Sequence, residues 1–179
     1  MSLVINCDDI PDDEEYVLDL VAKPDYFNFD PVEGILRKDV RVQGSLSKVG
    51  REILFKGSLS TEMEMVCSRC LEPLNYQVRS KVLSRYVPGE EAGSQDKDVE
   101  LHASDIEVEY YSDGRIDLTQ AVYDQMMLSL PLTRLCREDC LGICSQCGVN
   151  RNKKKCKCSD EDSIDPRLAV LKTLKNKLK

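Results

Sequence analysis

Apolar residues in the first half of the chain alternate with polar ones, as they do in half-buried β-strands. Residues 16–22 (YVLDLVA) alternate roughly, and residues 75–88 (NYQVRSKVLSRYVP) read as another strand. Between them, residues 39–66 place apolar side chains at mostly even spacing, at Val40, Val42, Leu46, Ile53, Phe55 and Leu59. The pattern predicts a mainly antiparallel sheet, arranged as a meander or a partly open barrel.

The second half changes from strand to helix periodicity. Residues 88–98 (PGEEAGSQDKD) predict a polar loop, and residues 106–118 predict a strand, an Asp-Gly turn and a second strand or helix start. A helix is expected over 118–130, with Asp117 and Gln120 as a capping box and Pro131 as its stop. Its apolar stripe consists of Leu118, Ala121, Val122, Met126 and Leu130.

The last fifteen residues (DPRLAVLKTLKNKLK) predict a terminal basic helix. Asp165 is suited to cap it and Pro166 to occupy its first position. Leucines at 168, 171, 174 and 178 would share one face. Together these elements predict an α+β fold, with a β-rich body over residues 1–135 and a zinc-ribbon-like segment plus helix over residues 136–179.

The net charge of the chain changes sign near residue 130, close to the predicted boundary between the body and the C-terminal segment. The net charge of −7 combines +6 over residues 131–179 with −13 over residues 1–130. A basic end on an acidic body is compatible with a nucleic-acid contact made by that end alone. The chain shows no signal peptide and no membrane-length apolar run, so we expect a cytoplasmic protein.

Nine cysteines in a reducing compartment favour metal binding over disulfides. Eight of them form four close pairs: Cys67 and Cys70, Cys136 and Cys140, Cys144 and Cys147, and Cys156 and Cys158. A C-x2-C turn presents two thiolates on one side of a tight loop, and each such pair supplies half of a tetrahedral shell. The stoichiometry predicts two zinc ions per chain, each held by four thiolates.

The simplest grouping joins Cys144, Cys147, Cys156 and Cys158 in a short hairpin, with Gly148 suited to the knuckle turn. Cys67, Cys70, Cys136 and Cys140 would then form the second site. Cys136, Cys140, Cys144 and Cys147 could instead close among themselves. Four thiolates also suit an iron–sulfur cluster, although the knuckle pattern favours zinc. Cys7 is most simply a small buried apolar residue.

Catalysis is not indicated by these residues. All-cysteine zinc shells are closed and structural, whereas catalytic zinc keeps an open position and commonly uses histidine or carboxylate ligands. The one histidine, His102, lies outside the cysteine cluster in a polar stretch. We therefore expect no enzyme and no small-molecule substrate. A thiol oxidoreductase is the alternative enzyme class, but no helix start follows Cys67 to activate a thiolate.

Basic residues crowd the hairpin that carries the last four cysteines. Part of their charge offsets the net negative charge of four-thiolate zinc sites. The excess can meet phosphates, helped by the amides of Asn150 and Asn152. The candidate nucleic-acid-binding residues are Arg151, Lys153, Lys154, Lys155 and Lys157.

Several motifs occur together in an order that is more specific than any single C-x2-C. They are VCSRCLEP, IDLTQAVYDQMMLSLPLTRLCREDCLGICSQCGVNRN, CKC and DPRLAVLKTLK. The set resembles the large ribosomal RNA subunit accumulation protein family, called YceD in bacteria. The resemblance implies a cytoplasmic, non-enzymatic ribosome biogenesis factor that supports the synthesis, processing or stability of 23S rRNA.

The sequence is compatible with two kinds of binding partner. The basic hairpin and last helix favour large-subunit rRNA, bound through phosphates. The acidic body favours a basic large-subunit ribosomal protein, which would make the chain a protein adaptor without RNA contact.

Overall fold

One open six-stranded sheet forms the body of the chain, and a computed structural model describes residues 2–12, 14–89 and 108–158. The sheet order is β2-β4-β5-β6-β7, and β3 pairs with β5 beyond the end of β4. The strands are β1 (Val4–Asn6), β2 (Tyr16–Ala22), β3 (Ile35–Leu36), β4 (Val40–Val49), β5 (Glu52–Val66), β6 (Pro73–Pro88), β7 (Val108–Tyr111) and β8 (Arg115–Asp117). The helix α1 spans Thr119–Leu128, and two 3-10 turns span Cys7–Asp9 and Pro24–Tyr26.

Most of the pairing is antiparallel, as the alternation predicts. Among the strands of the described residues, β6 and β7 are the pair that runs parallel, while β1 and β8 form a separate antiparallel pair. Within the described residues the sheet is open, with β2 and β7 at its edges. The α+β fold class with a mainly antiparallel sheet is therefore confirmed.

The alternating positions of the long strands face a single core. In β5 the odd-numbered residues point inward, and Ile53, Phe55 and Met63 are fully buried. Helix α1 packs over β6 on this face, where Gln125 Nε2 donates to Ser80 Oγ at 2.8 Å. Of the predicted stripe, Ala121, Val122 and Met126 are buried on α1 and Leu118 is buried just before it. The helix ends at Leu128 rather than at residue 130, so the predicted fifth member, Leu130, lies beyond it and is half-buried against the core.

Gly44 and Gly57 face each other across β4 and β5 at a point where the two backbones come very close. A Cβ on Gly57 would lie 2.5 Å from the Gln43 carbonyl oxygen and 2.6 Å from Phe55 Cζ. The Phe55 ring also lies over Gly44, 3.0 Å from the place of its Cβ. Only glycine on both strands allows this approach, which lets an aromatic ring fill the space of two missing side chains.

The start of α1 differs from the predicted capping box. The N-cap position is Leu118 rather than Asp117, although the Thr119 backbone N–H, the first of the helix, does donate to Asp117 Oδ1 at 2.9 Å. Gln120 does not reach back, because its Nε2 donates to Asp124 Oδ1 at 2.7 Å. The prediction of a reciprocal capping bond from Gln120 was wrong, because this side chain hydrogen-bonds the Asp124 carboxylate one turn ahead on the same helix.

Some predicted features lie outside the described residues. These are His102, the terminal helix over 165–179 and the polar loop from residue 90 onward. The loop prediction begins too early, since β6 continues to Pro88. Across the described part of the chain, no helix is both long and apolar enough to cross a membrane.

Candidate metal centres

The first C-x2-C motif forms the turn between β5 and β6. The Cys67 N–H donates to the Glu72 carbonyl at 2.9 Å, and the Leu71 N–H donates to the Cys67 carbonyl at 3.0 Å. Leu71 takes a left-handed conformation with φ of 61°. The resulting loop directs both sulfurs toward the same side, and Cys67 and Cys70 are buried.

The second C-x2-C motif repeats this geometry. The Cys144 N–H donates to the Val149 carbonyl at 2.9 Å, and the Gly148 N–H donates to the Cys144 carbonyl at 2.9 Å. Gly148 has φ of 70°, the conformation for which glycine was expected at the knuckle. Sequence reasoning missed the equivalent role of Leu71, because leucine gives no signal for a left-handed turn.

The fold brings the eight cysteines together as two groups of four. Within each group the sulfurs lie within 4.8 Å of one another. In the first group, Cys67 Sγ lies 3.9 Å from Cys140 Sγ, and Cys70 Sγ lies 3.6 Å from Cys136 Sγ. A tetrahedral ion with zinc–sulfur bonds of about 2.3 Å separates its ligands by roughly 3.8 Å. Either group can therefore hold a metal ion, and the grouping is Cys67, Cys70, Cys136 and Cys140 against Cys144, Cys147, Cys156 and Cys158.

The first thiol of each knuckle ionises easily. Burial opposes ionisation of Cys67, but the N–H groups of Cys70, Arg69 and Cys136 outweigh it and lower the Cys67 pKa to about 6. The N–H groups of Cys147 and Gln146 lower the Cys144 pKa to about 6 as well. Metal binding requires thiolates, so these backbone donors prepare both sites for an ion.

One thiol in each group, Cys136 in the first and Cys158 in the second, shows the opposite shift. Burial, followed by the neighbouring thiols, raises the pKa of Cys136 to about 12, and the Cys147 thiol raises that of Cys158 to about 12. Several negative sulfurs cannot share so small a space without a compensating cation. The arrangement is suited to a metal ion, whose charge stabilises all four thiolates together.

Hydrogen bonds to and from Arg69 connect the first knuckle to the chain segment that leads into the second knuckle. The Ile143 N–H donates to the Arg69 carbonyl at 2.9 Å, and Arg69 Nη1 donates to the Cys140 carbonyl at 3.1 Å. A Cβ on Gly142, which has φ of 72°, would lie 3.0 Å from that Arg69 carbonyl. The first knuckle therefore supports the chain that leads into the second.

Asn152 contributes to the first group from the hairpin of the second. Its Nδ2 donates to Cys140 Sγ at 3.3 Å, while its Oδ1 accepts from Leu141 N–H at 2.9 Å and from Arg137 Nη2 at 2.7 Å. Asn150 Oδ1 in turn accepts from the Asn152 N–H and Nδ2. The expectation that these two amides meet phosphates is therefore corrected, because both are engaged inside the protein.

The predicted phosphate-binding cations do not share one environment. Lys154, Lys155 and Lys157 are exposed, and Arg151 is half-buried. Lys153 is exposed but lies 2.7 Å from Glu72 Oε1, which also accepts from Asn150 Nδ2. This pairing lowers the Glu72 pKa and attaches the hairpin tip to the first knuckle.

The ninth cysteine lies apart from both groups. Cys7 opens the 3-10 turn after β1 and is 8 % exposed. Burial raises its pKa. It packs in the core of the sheet, as the prediction of a small buried apolar residue requires.

Known proteins resemble the chain in sequence. The profile of the family described as large ribosomal RNA subunit accumulation protein YceD matches residues 55–175. An uncharacterized protein of Mycobacterium tuberculosis is 30 % identical over 76 % of this chain, and that match spans 60 % of the relative's length. The uncharacterized protein YlbN of Bacillus subtilis is 30 % identical over 75 % of this chain and 73 % of its own.

A further relative carries the family's name. It is the large ribosomal RNA subunit accumulation protein YCED homolog 1, chloroplastic, of Arabidopsis thaliana, which is 38 % identical over 26 % of this chain and 15 % of its own. No solved structure matches the chain. The family profile covers both knuckles and all eight clustered cysteines. The chain therefore belongs to the large ribosomal RNA subunit accumulation protein YceD family, whose name indicates a role in ribosome biogenesis.

Proposed function

We propose that the protein is a non-enzymatic, cytoplasmic assembly factor that supports the synthesis, processing or stability of 23S rRNA. Its family membership supports a role in ribosome biogenesis. The observation that carries the proposal further is the exposed lysine run beside two closed groups of four thiols. Such groups fold a segment without offering a reacting centre, because no open ligand position remains.

Zinc is the proposed ion in both groups, with two ions per chain. Paired knuckles with four thiolates suit tetrahedral zinc, which needs no redox chemistry. Eight reduced cysteines fit a reducing compartment such as the cytoplasm. Zinc would connect the sheet body to the segment after α1, since the first group takes Cys67 and Cys70 from the β5–β6 turn. A boundary between the β-rich body and the cysteine-rich segment at residue 135 therefore remains a proposal. The first metal group would cross this boundary, because two of its ligands precede it and two follow it.

Replacing Asn152 by alanine is expected to weaken metal binding at the first group by about 10- to 100-fold. The variant loses the Nδ2 donor to the Cys140 thiolate and the acceptor that holds Arg137 and the Leu141 N–H. Competition with a chromophoric chelator measures the affinity. Asn75→Ala, at an exposed position of β6, is the matched control. Equal affinities of the two variants would remove Asn152 from the support of the site.

The exposed lysines are the proposed rRNA contacts. Lys154, Lys155 and Lys157 project from a hairpin that the metal would hold in one conformation. Point charges on a short, rigid hairpin are suited to phosphates, and contacts of this kind release counterions from the RNA. Lys153 should contribute less, because binding a phosphate would compete with its ion pair to Glu72.

The triple variant Lys154→Gln/Lys155→Gln/Lys157→Gln should bind 23S rRNA with a salt dependence that is less steep by about 2 to 3 units. Filter binding over a range of salt concentrations measures the slope. The control Lys23→Gln/Lys48→Gln/Arg115→Gln removes the same charge from the body. In cells depleted of their own family member, the triple variant should restore the 23S to 16S rRNA ratio less fully than the wild type. An unchanged slope would exclude the hairpin from the RNA interface.

The second candidate is a protein adaptor that binds a basic large-subunit ribosomal protein. The observation in its favour is the charge of −13 over residues 1–130. Its complex with large-subunit proteins should survive nuclease treatment, whereas an RNA-mediated complex should dissociate. The same pull-down therefore distinguishes the two candidates.

A further inference from the structure

The outward face of the central strands carries a group of cations away from the cysteines. Arg79 and Lys81 project from β6, about 7 Å apart along the strand. Lys56 projects from the neighbouring strand β5, opposite Leu83. All three are exposed. We call Lys56, Arg79 and Lys81 the sheet-face cations.

The sheet-face cations differ from the other basic residues of the same face. Arg41 is paired with Asp19, Arg37 with Glu64, and Lys38 with Glu62. Each of these pairs neutralises itself and lowers the pKa of its carboxyl group. No carboxylate among residues 2–12, 14–89 and 108–158 pairs with Lys56, Arg79 or Lys81. Within these described residues, the outward face of β5 and β6 thus carries a positive area without paired carboxylates.

Small polar side chains surround these cations. Ser60 is the register partner of Arg79, and Ser58 lies between Lys81 and Gln43. Gln43, Ser58, Ser60, Arg79 and Lys81 line the outward part of a shallow concavity of about 660 Å³, whose lining also includes Leu59, Ser80 and Gln125 from the core-facing side of the sheet. Hydroxyls and cations together are the groups that contact phosphate oxygens. None of the described residues that line the concavity is aromatic, so base stacking is not indicated.

The position of the strands argues against a peptide as the occupant. β5 is paired on both sides, with β4 and β6, and β6 is paired with β5 and β7. Their backbone groups are used within the sheet, so an extended peptide cannot add as a further strand. A polyanion needs only charge and hydroxyls on such a surface, which this face supplies.

We propose that the sheet-face cations bind the phosphate backbone of RNA, as a second contact beside the hairpin lysines. The proposal rests on the proposed function and extends it to a new surface. Val66, at the end of β5, lies six positions after Ser60, which corresponds to about 20 Å along the strand. Glu62 and Glu64 lie between, neutralised by their partners. One RNA segment could therefore follow β5 and β6 from the sheet face toward the cysteine-rich end.

The test compares two double variants of the full chain, each lacking one lysine and one arginine. Arg79→Gln/Lys81→Gln removes two sheet-face cations, and Lys23→Gln/Arg115→Gln removes two exposed cations elsewhere. Binding to transcribed 23S rRNA is measured between 50 and 200 mM salt. We expect the first variant to have a salt slope less steep by about 1.5 to 2 units, and the control to match the wild type. Thermal unfolding and metal content should be unchanged in both, because these side chains are exposed.

The outcomes separate this proposal from the function on which it rests. A normal slope for Arg79→Gln/Lys81→Gln, with a reduced slope for the hairpin variant, would overturn the sheet-face contact alone. Equal reductions in both double variants would overturn it too, since net charge would then be sufficient. A wild-type chain that binds no rRNA would overturn both proposals. If Arg79→Gln/Lys81→Gln instead impaired only binding to an acidic protein, the RNA assignment would be wrong.

Discussion

Removal of the two proposed metal ions by a strong chelator should disorder residues 136–158 and leave the six-stranded sheet folded. This segment contains no helix and no regular strand, only an isolated bridge between Ile143 and Asn150. Its apolar support is small, since the local buried cluster consists of Cys67, Cys70 and Cys140 with Leu74 and Leu135 packed against it. Structural zinc contributes on the order of 10 kcal/mol to the folding of such segments. The sheet has a separate apolar core and should remain folded without metal.

Backbone amide NMR of the full chain measures this effect residue by residue. After chelation, the amides of residues 136–158 should move to random-coil positions, and those of β4 and β5 should keep their dispersion. Cys7→Ala is the matched control, because Cys7 lies outside both groups and should leave the metal content unaltered. Retention of native shifts in residues 136–158, after metal loss has been verified, would contradict the structural role of the ions.

Replacing Gly57 by alanine should destabilise the whole sheet by about 3 kcal/mol, at the upper end of overpacking effects. The new Cβ would lie 2.5 Å from the Gln43 carbonyl oxygen and 2.6 Å from Phe55 Cζ. One of these neighbours is backbone and the other is a ring in the core, so neither can move without disturbing β4 or the packing. Urea unfolding, with the metal ions bound, measures the change in free energy.

Gly89→Ala is the control for this glycine substitution. Its Cβ would lie 3.4 Å from the Tyr111 carbonyl oxygen, an ordinary contact, and its φ is not in the left-handed region. We expect its unfolding midpoint to stay close to that of the wild type. If Gly57→Ala unfolded at the same urea concentration as Gly89→Ala, the close approach of β4 and β5 would not limit the stability of the sheet.

Local patterns predicted most of the elements because their signals lie within a few residues. The alternation of β4, β5 and β6 reflects one buried face, and the stripe of α1 reflects contact with that face. The β6–β7 pairing gave no such signal. It is parallel and joins residues that are distant in the chain, such as Pro88 and Tyr111, so only the folded sheet identifies β7 as the edge.

In the cysteine groups, too, the features set by neighbouring residues were predictable from the sequence, whereas contacts between distant residues were not. C-x2-C spacing and Gly148 indicate a knuckle directly, since a tight turn needs that spacing and a residue able to adopt positive φ. Leu71 has the same conformation without the same signal. Asn152 was assigned to phosphate because it lies in a basic hairpin, whereas its amide contacts a sulfur of the other group.

The sequence by itself determined the kinds of structure and chemistry in the described part of this protein: a mainly antiparallel sheet, the helix α1, eight cysteines in pairs suited to metal, and a basic hairpin. Each depends on residues that are near one another in the chain. Tertiary structure alone decided which distant groups meet, such as Cys67 with Cys140, 73 residues apart, and Lys153 with Glu72, 81 residues apart. Such contacts depend on how the sheet turns and where its strands end, which no short stretch of sequence encodes.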